Sequence, residues 1–174
     1  MNSMNRRAAI LKLLQDTQEP ITGGQLSEHF GVTRQVIVSD IALLRAQGED
    51  IIGTPRGYLY NRPGSKTMVR QKIASVHSRF HDQIRDELYL IVDHGASVQD
   101  VIVEHPVYGE ITASLHISSR YDVDQFLEKL AEYNAEPLLI LTDGPHLHTI
   151  EADRIEVLEQ VKQALAAKGY LAPE

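Results

Sequence analysis

The chain begins with hydrophobic positions that recur at helical spacing and break where a helix would end. Ile10 and Leu14 share one side of a helix predicted over residues 5–15. Thr22 and Gln25 form the capping-box pattern that opens a second, short helix, which a glycine ends. A third helix follows almost at once, so the first third of the chain is predicted to hold three closely spaced helices.

The third helix has one apolar face and one polar face. Thr33 is its predicted N-cap, and Ile37, Ile41 and Leu44 follow at spacings of four and three, which places them together on a buried side. The residues left facing outward are Arg34, Gln35, Val38 and Ser39. Hydrogen-bond donors and a small apolar group at the start of an exposed helix are suited to reading base edges and contacting phosphates.

A hairpin is predicted directly after the third helix. Two β-prone runs, residues 50–52 and 58–60, flank Thr54-Pro55-Arg56-Gly57, which places Arg56 at the tip. A helix-turn-helix followed by such a wing is typical of DNA binding. The expected DNA contacts are Thr33, Arg34, Gln35, Val38, Ser39 and Arg56. The alternative, a plain three-helix core with a polar surface, is disfavoured because several independent local signals agree in order and spacing.

Charge is distributed unevenly along the chain. Residues 1–70 hold nine Lys and Arg against six Asp and Glu, a net charge of +3, whereas residues 71–174 hold 8 against 18, a net charge of −10. We expect a DNA-binding domain over residues 1–62, a linker over 63–71 and a second domain over 72–174. Cysteine is absent, and no apolar run approaches the length of a membrane span, so a cytoplasmic protein without membrane contact is expected.

The second domain alternates between strand-like and helix-like hydrophobic periods. Its predicted order is βαββαββα, an α+β fold with a mixed or antiparallel sheet and helices on one face. The predicted elements are a strand over 72–77, a helix over 81–93, strands over 98–105 and 110–117, a helix capped by Asp122 or Asp124, strands over 137–142 and 146–151, and a last helix over 153–168.

Histidines are the candidate chemical groups of this second domain. His146 and His148 lie two apart on a predicted strand, so both imidazoles project from one face while Leu147 is expected to point into the core. Two such imidazoles can bind a divalent metal together, and Glu87 and His77 are candidates for the two remaining ligands. An H-x-H pattern alone is weak, and exposed histidines on an edge strand are the plainer interpretation.

Four stretches together carry a resemblance to a known family over nearly the whole chain. They are TGGQLSEHFGVTRQVIVSDIALLRAQG, DELYLIVDHG, VEHPVYGEI and LTDGPHLHTIEA. The chain resembles the niacin-responsive transcriptional repressors of NAD metabolism, which join a winged helix to a domain named for three histidines. The resemblance implies a homodimer that binds operator DNA and uses the histidine domain to bind a divalent metal and sense nicotinic acid. Because a single recognition helix contacts only a half-site, the operator is expected to be an inverted repeat. No enzymatic activity is expected.

The same resemblance assigns roles to particular residues. His77, Glu87, His146 and His148 match the family's metal ligands, although the stretch from His77 to Glu87 is longer than the family pattern and contains His81 as an alternative ligand. Zinc, nickel, manganese and ferrous iron all accept this ligand set.

Two further residues on the predicted hairpin connection are candidate effector contacts. His105 and Tyr108 are placed to hydrogen-bond the pyridine nitrogen or carboxylate, although His105, directly before a proline, is equally suited to a local turn role.

Three hypotheses remain open on the sequence. A nicotinate-sensing repressor accounts for every motif. A repressor for which the metal itself is the signal needs only the winged helix and four ligands. A metalloenzyme tethered to DNA, with His105 as acid or base, ranks last because no nucleophile, helix-borne H-E-x-x-H or phosphate-binding glycine loop accompanies the histidines.

Overall fold

A computed structural model describes residues 2–62 and 68–173, which divide into two compact units, Met1–Pro63 and Gly64–Glu174. Part of the predicted linker, residues 63–67, lies outside the described residues. The predicted C-terminal end of the linker is wrong, because residues 69–71 belong to a strand that begins at Val69. No helix among the described residues is both long enough and apolar enough to cross a membrane.

The first unit is a three-helix bundle with a hairpin, as predicted. Its elements are α1 (Ser3–Asp16), α2 (Gly23–Phe30), α3 (Arg34–Ala46), β1 (Ile51–Thr54) and β2 (Gly57–Tyr60). Both halves of the capping box at Thr22 form, and Thr33 accepts the Val36 amide at the start of α3. The core is built by Ile10, Leu14, Leu26, Ile37, Ile41, Leu44 and Ile51.

The hairpin is tied to the helices through the residue before α2. Ile21 exchanges backbone hydrogen bonds with Tyr58, at 2.9 and 2.8 Å, and so adds a short third strand beside β2. Gly57 makes this approach possible, because it has a φ of 131° and a Cβ there would lie 2.5 Å from the Ile21 backbone. The wing is therefore fixed to the helix-turn-helix by main-chain contacts.

The second unit is an antiparallel four-stranded sheet covered by helices. Its elements are β3 (Val69–Val76), α4 (His81–Asp93), β4 (Ser97–His105), β5 (Gly109–Ile117), α5 (Arg120–Glu132), a 3₁₀ helix (Leu138–Thr142), β6 (Pro145–Ala152) and α6 (Ile155–Ala167). The strand order is β3-β6-β4-β5 and every pairing is antiparallel. The α+β fold class is confirmed.

The predicted strand over 137–142 is wrong, and the order is βαββα-3₁₀-βα. The apolar run Leu138–Thr142 buries Leu139, while Ile140 and Leu141 are exposed, and the turn closes when the Gly144 amide donates to the Leu139 carbonyl at 3.1 Å. A short apolar run has no period that separates strand from helix, so the sequence signal was ambiguous.

The cap of α5 also differs from the prediction. Ser119 accepts the Asp122 amide and is the N-cap, whereas Asp122 is buried and accepts from the Ser118 amide at 2.9 Å. The prediction of Asp122 or Asp124 as the cap is therefore wrong, because adjacent polar residues compete for the same role.

Candidate metal centre and DNA-contact surface

Strand β6 places two histidines in the interior of the second unit. β6 lies between β3 and β4, and the side chains of His146 and His148 are buried on the same face as Ile150. Leu147, on the opposite face, is only half-buried. The prediction that Leu147 points into the core is therefore wrong, and the alternative of exposed histidines on an edge strand does not hold.

A buried carboxylate stands at the centre of these histidines. Glu87 lies on the inner face of α4 and is 1% exposed. Its Oε2 atom lies 2.6 Å from His77 Nε2, 3.3 Å from His146 Nε2 and 3.5 Å from His148 Nε2. The structure thus brings together all four residues predicted as metal ligands, from the end of β3, from α4 and from β6.

The other nitrogen of each ring is held by a backbone carbonyl. The Nδ1 atoms of His77, His146 and His148 each lie 2.7 Å from a carbonyl oxygen, of Ser78, Gly144 and Asp100 respectively. A carbonyl can only accept, so each Nδ1 carries a proton and Nε2 is the nitrogen that faces Glu87. That nitrogen donates to the carboxylate when the ring is protonated and offers a lone pair to a metal when the ring is neutral.

A bulge in β4 makes the third of these contacts possible. The register of β4 against β6 shifts between Val98 and Ile102, around the position of Asp100. Such an irregularity interrupts the ladder, and the Asp100 carbonyl accepts from His148 while its carboxylate accepts the Thr149 amide at 2.8 Å. The bulge therefore orients one candidate ligand.

Three Nε2 atoms this close to one carboxylate oxygen require a proton or a metal ion between them. Burial would raise the pKa of Glu87, but the charge of His148 and hydrogen bonds from the histidines hold that pKa well below its ordinary value. Burial would likewise lower the pKa values of His77 and His148, yet the hydrogen bond and charge of Glu87 raise both. The second oxygen of Glu87, Oε1, is buried and has no hydrogen-bond partner among residues 2–62 and 68–173.

This donor set fits a divalent transition metal. His77, Glu87 and His146 each offer a ligand atom within 4.8 Å of the others, and His148 approaches the same carboxylate oxygen. Three imidazole nitrogens and one carboxylate, each imidazole oriented by a carbonyl behind it, are the ligands and supporting contacts of a transition-metal site. The buried Oε1 atom is a further lone pair for such an ion.

A small cavity adjoins the cluster. Its volume is about 30 Å³, enough for an ion or about one water molecule. Apart from the four candidate ligands, the walls are apolar: Ile84, Leu88, Val101, Leu115, Phe126, Pro137, Leu138 and Leu139. The site is thus polar at one side and hydrophobic at the other.

The remaining predicted residues of this unit lie elsewhere. His81 is exposed at the first position of α4 and is not part of the cluster. His105 Nδ1 accepts the amides of Val107 and Tyr108 at 3.1 and 3.3 Å, which is the local turn role considered above. Tyr108 is 75% exposed, and neither His105 nor Tyr108 lines the cavity. Their assignment as effector contacts stays a prediction.

The predicted DNA contacts surround the start of α3. Thr33, Arg34, Gln35 and Ser39 are exposed, and Val38 is half-buried. Arg56 lies in the turn between β1 and β2, half-buried, with its Nη1 atom 3.6 Å from Glu19 Oε2. The helix start and the wing turn therefore present donors at the surface of the same unit.

Two contributors to the candidate metal centre were not found in the sequence analysis. Gly144 has a φ of 126°, and a Cβ there would lie 3.0 Å from the His77 carbonyl oxygen, so its lack of a side chain lets two ligand-bearing segments meet. Tyr170 lies against the His77 ring, with centroids 5.5 Å apart. Burial and a hydrogen bond to Asp86 raise the pKa of Tyr170 to about 12. Only the turn signal at Asp143-Gly144-Pro145 was visible in the sequence.

Comparison with known proteins identifies the class to which this architecture belongs. Residues 6–59 match an HTH domain family, and residues 70–174 match the 3H domain family. The chain therefore belongs to the family of transcription repressors that join a helix-turn-helix domain to a 3H domain, and it is a DNA-binding regulator rather than an enzyme.

Two relatives match along nearly the full length of the chain. A Thermotoga maritima protein named "Probable transcription repressor NiaR" is 43% identical over 169 residues, which cover 97% of this chain and 94% of that protein. The Bacillus subtilis protein named "Transcription repressor NadR" is 41% identical over 169 residues, which cover 96% and 93%. The family resemblance drawn from the sequence motifs is confirmed.

Proposed function

We propose that this chain is a cytoplasmic, metal-containing repressor that senses nicotinic acid and controls genes of NAD synthesis or niacin uptake. The observation that supports a bound metal is the convergence of three Nε2 atoms on the buried Glu87 carboxylate. The family and the motif resemblance support the effector. The metal, when bound, supplies a positive charge and an open position for a carboxylate.

The residues of the cavity suit both the carboxylate and the aromatic ring of nicotinic acid. His77, Glu87, His146 and His148 hold the ion at the polar side of the cavity, and the apolar wall suits an aromatic ring. The cavity is smaller than a pyridine ring, so binding requires side chains to move. Phe126 and Leu139, which belong to α5 and the 3₁₀ helix, are wall residues whose displacement enlarges it.

Operator recognition is proposed to be dimeric. One α3 helix reaches a single half-site, so a homodimer binds an inverted repeat whose half-site centres lie roughly 10 or 21 base pairs apart. Nicotinate then acts by binding the DNA-competent dimer more tightly than the incompetent one. Linkage requires operator DNA to tighten nicotinate binding by the same factor, on the order of five- to 150-fold.

Gel-shift titrations with and without nicotinate test this function, together with calorimetric titration of the metal-loaded protein with nicotinate, nicotinamide and NAD. We expect nicotinate to strengthen operator binding in the wild type and to have no effect in the metal-free His146→Ala variant. Unchanged operator affinity in the wild type would refute sensing. A nicotinate effect that persists in His146→Ala would make the metal structural and place the carboxylate elsewhere.

A second candidate function is favoured by the size of the cavity. It accommodates an ion without rearrangement, so the metal itself can serve as the signal. In that case operator binding follows added Zn²⁺ and is abolished by a chelator, with no response to nicotinate. The same gel-shift series distinguishes the two, because only the first function gives a nicotinate response at constant metal.

A further inference from the structure

The segment after α6 returns to the metal centre. The Val76 amide donates to the Tyr170 carbonyl at 2.8 Å, and the Ala172 amide donates to the Ala74 carbonyl at 2.9 Å. Together with an antiparallel bridge between Ser75 and Leu171, these contacts add a short strand along the outer edge of β3. This C-terminal edge strand ends its pairing with β3 directly before His77.

The Tyr170 side chain contacts one candidate ligand and the chain neighbour of another. Its ring lies edge-on to the His77 ring at a centroid distance of 5.5 Å. Its hydroxyl donates to Asp86 Oδ2 at 2.8 Å, and Asp86 precedes Glu87 on α4. One side chain thus touches the His77 imidazole and anchors to the neighbour of the carboxylate that His77 approaches.

His77 needs such support more than the other two histidines. His146 and His148 lie on β6, which is paired with a strand on each side. His77 follows the last residue of β3, which pairs with β6 on one side and with the short C-terminal edge strand on the other, and its Nδ1 atom contacts the carbonyl of the next residue. Ligand orientation by surrounding contacts governs metal affinity, so the least constrained ligand gains most from an additional one.

We propose that Tyr170 is a positioning residue of the metal site, which sets the separation and orientation of His77 relative to Glu87. This inference rests on the metal site proposed above and adds a role for the C-terminal edge strand. Because the edge strand holds a ligand, linkage requires that metal binding in turn stabilises the edge strand.

The test is Zn²⁺ affinity, measured by competition with a chromophoric chelator on the full chain. Tyr170→Phe keeps the ring but releases it from Asp86, and we expect affinity to fall about tenfold; Tyr170→Ala removes both contacts, and we expect a fall of about 100-fold. Tyr133→Phe, at a tyrosine that is 73% exposed, is the matched control. Lys168→Ala, whose Nζ atom lies 3.3 Å from the same Asp86 oxygen, is a second control. Both should bind Zn²⁺ as the wild type does.

Hydrogen exchange separates positioning from general stability. Zn²⁺ should slow amide exchange in the peptide that contains residues 170–173 in the wild type, and this protection should be reduced in Tyr170→Phe. A Tyr170→Phe protein that melts at a lower temperature but binds Zn²⁺ with wild-type affinity would overturn the inference, as would undiminished protection. A wild type that binds no Zn²⁺ would overturn the proposed metal site as well.

Discussion

Each unit of this protein contains a buried carboxylate beside basic side chains, Asp40 in the first and Glu87 in the second, and these two are neutralised in different ways. Asp40, 3% exposed on α3, is paired with Arg6 at 2.6 Å and Arg7 at 3.5 Å, both from α1. Glu87, 1% exposed on α4, faces the Nε2 atoms of imidazoles, which are cationic only when they are protonated. The first charge is compensated by permanent cations of the chain, whereas the second requires a proton or a metal ion.

The difference separates a structural ion pair from a binding site. Arginine is always protonated, so the Asp40 pair is complete whenever the first unit is folded. Histidine changes charge near neutral pH and coordinates metals through a neutral nitrogen. Burying a carboxylate among histidines therefore leaves a position that an ion from solution can fill, and the predictions below test this contrast.

The largest effect is expected from removing a ligand. Glu87→Gln keeps the shape of the side chain but not its charge, and His146→Ala deletes one imidazole. Each should lower Zn²⁺ affinity by roughly 100-fold or more, since a four-ligand site worth about 10–16 kcal/mol averages roughly 3 kcal/mol per ligand. Competition with a chelator measures this, and Asp40→Asn should bind Zn²⁺ as the wild type does.

His77→Ala and His81→Ala form a matched pair within this prediction. We expect the His77→Ala variant to lose the metal and the His81→Ala variant to keep it, because His77 contacts Glu87 whereas His81 is exposed outside the cluster. Elemental analysis of the purified variants decides it. The opposite pattern would transfer the ligand role to His81.

The second prediction concerns the completed ion pair. Asp40→Asn leaves Arg6 and Arg7 without their carboxylate and should lower the free energy of unfolding of the first unit by about 3 kcal/mol, the lower end of the range for buried pairs, because both arginines are partly exposed. Urea unfolding followed by circular dichroism measures it. Unfolding of the Asp40→Asn variant at the wild-type midpoint would mean that the pair contributes little and that the contrast with Glu87 is overstated.

The third prediction concerns DNA binding by the exposed residues of the first unit, which lie apart from its buried ion pair. Arg34→Ala and Gln35→Ala should each reduce discrimination between operator and random DNA by about 1–3 kcal/mol. Arg56→Ala should weaken binding to operator DNA and to random DNA about equally, because a wing arginine that contacts phosphates does not distinguish base sequences. Fluorescence anisotropy on both DNAs measures this; equal losses for all three variants would contradict the assignment of α3 as the reading helix.

The smallest effect is a pH dependence of the metal-free second unit. The folded-state pKa values of His77 and His148 are raised above the ordinary 6.5, so their contribution to stability is fully present below pH 6.5 and is lost as pH rises through the raised values. Without metal, the melting temperature should therefore fall as the pH rises above 6.5. Bound Zn²⁺ should reverse the trend, because protons compete for the same nitrogens.

The Glu87→Gln variant is the control for this measurement. Removing the carboxylate removes the main cause of the raised histidine pKa values, so the metal-free variant should lose most of the pH dependence. Retention of the full dependence in Glu87→Gln would assign it to other titrating groups.

Local sequence patterns were sufficient for much of this protein. The capping box at Thr22, the cap at Thr33 and the helical spacing of Ile37 and Ile41 predicted the helix-turn-helix, because each signal acts within a few residues of chain. The spacing of His146 and His148 likewise placed both imidazoles on one face, since strand geometry alternates with a period of two.

Tertiary structure decided what depends on distant partners. That β6 is central, so that its histidines are buried beside Glu87, follows from strand order and not from the H-x-H pattern. The contact by which Asp100 orients His148 joins residues 48 positions apart. The contact between Tyr170 and His77 joins residues 93 positions apart. Such contacts depend on packing between elements, and the residues near each partner carry no periodic signal that would reveal it.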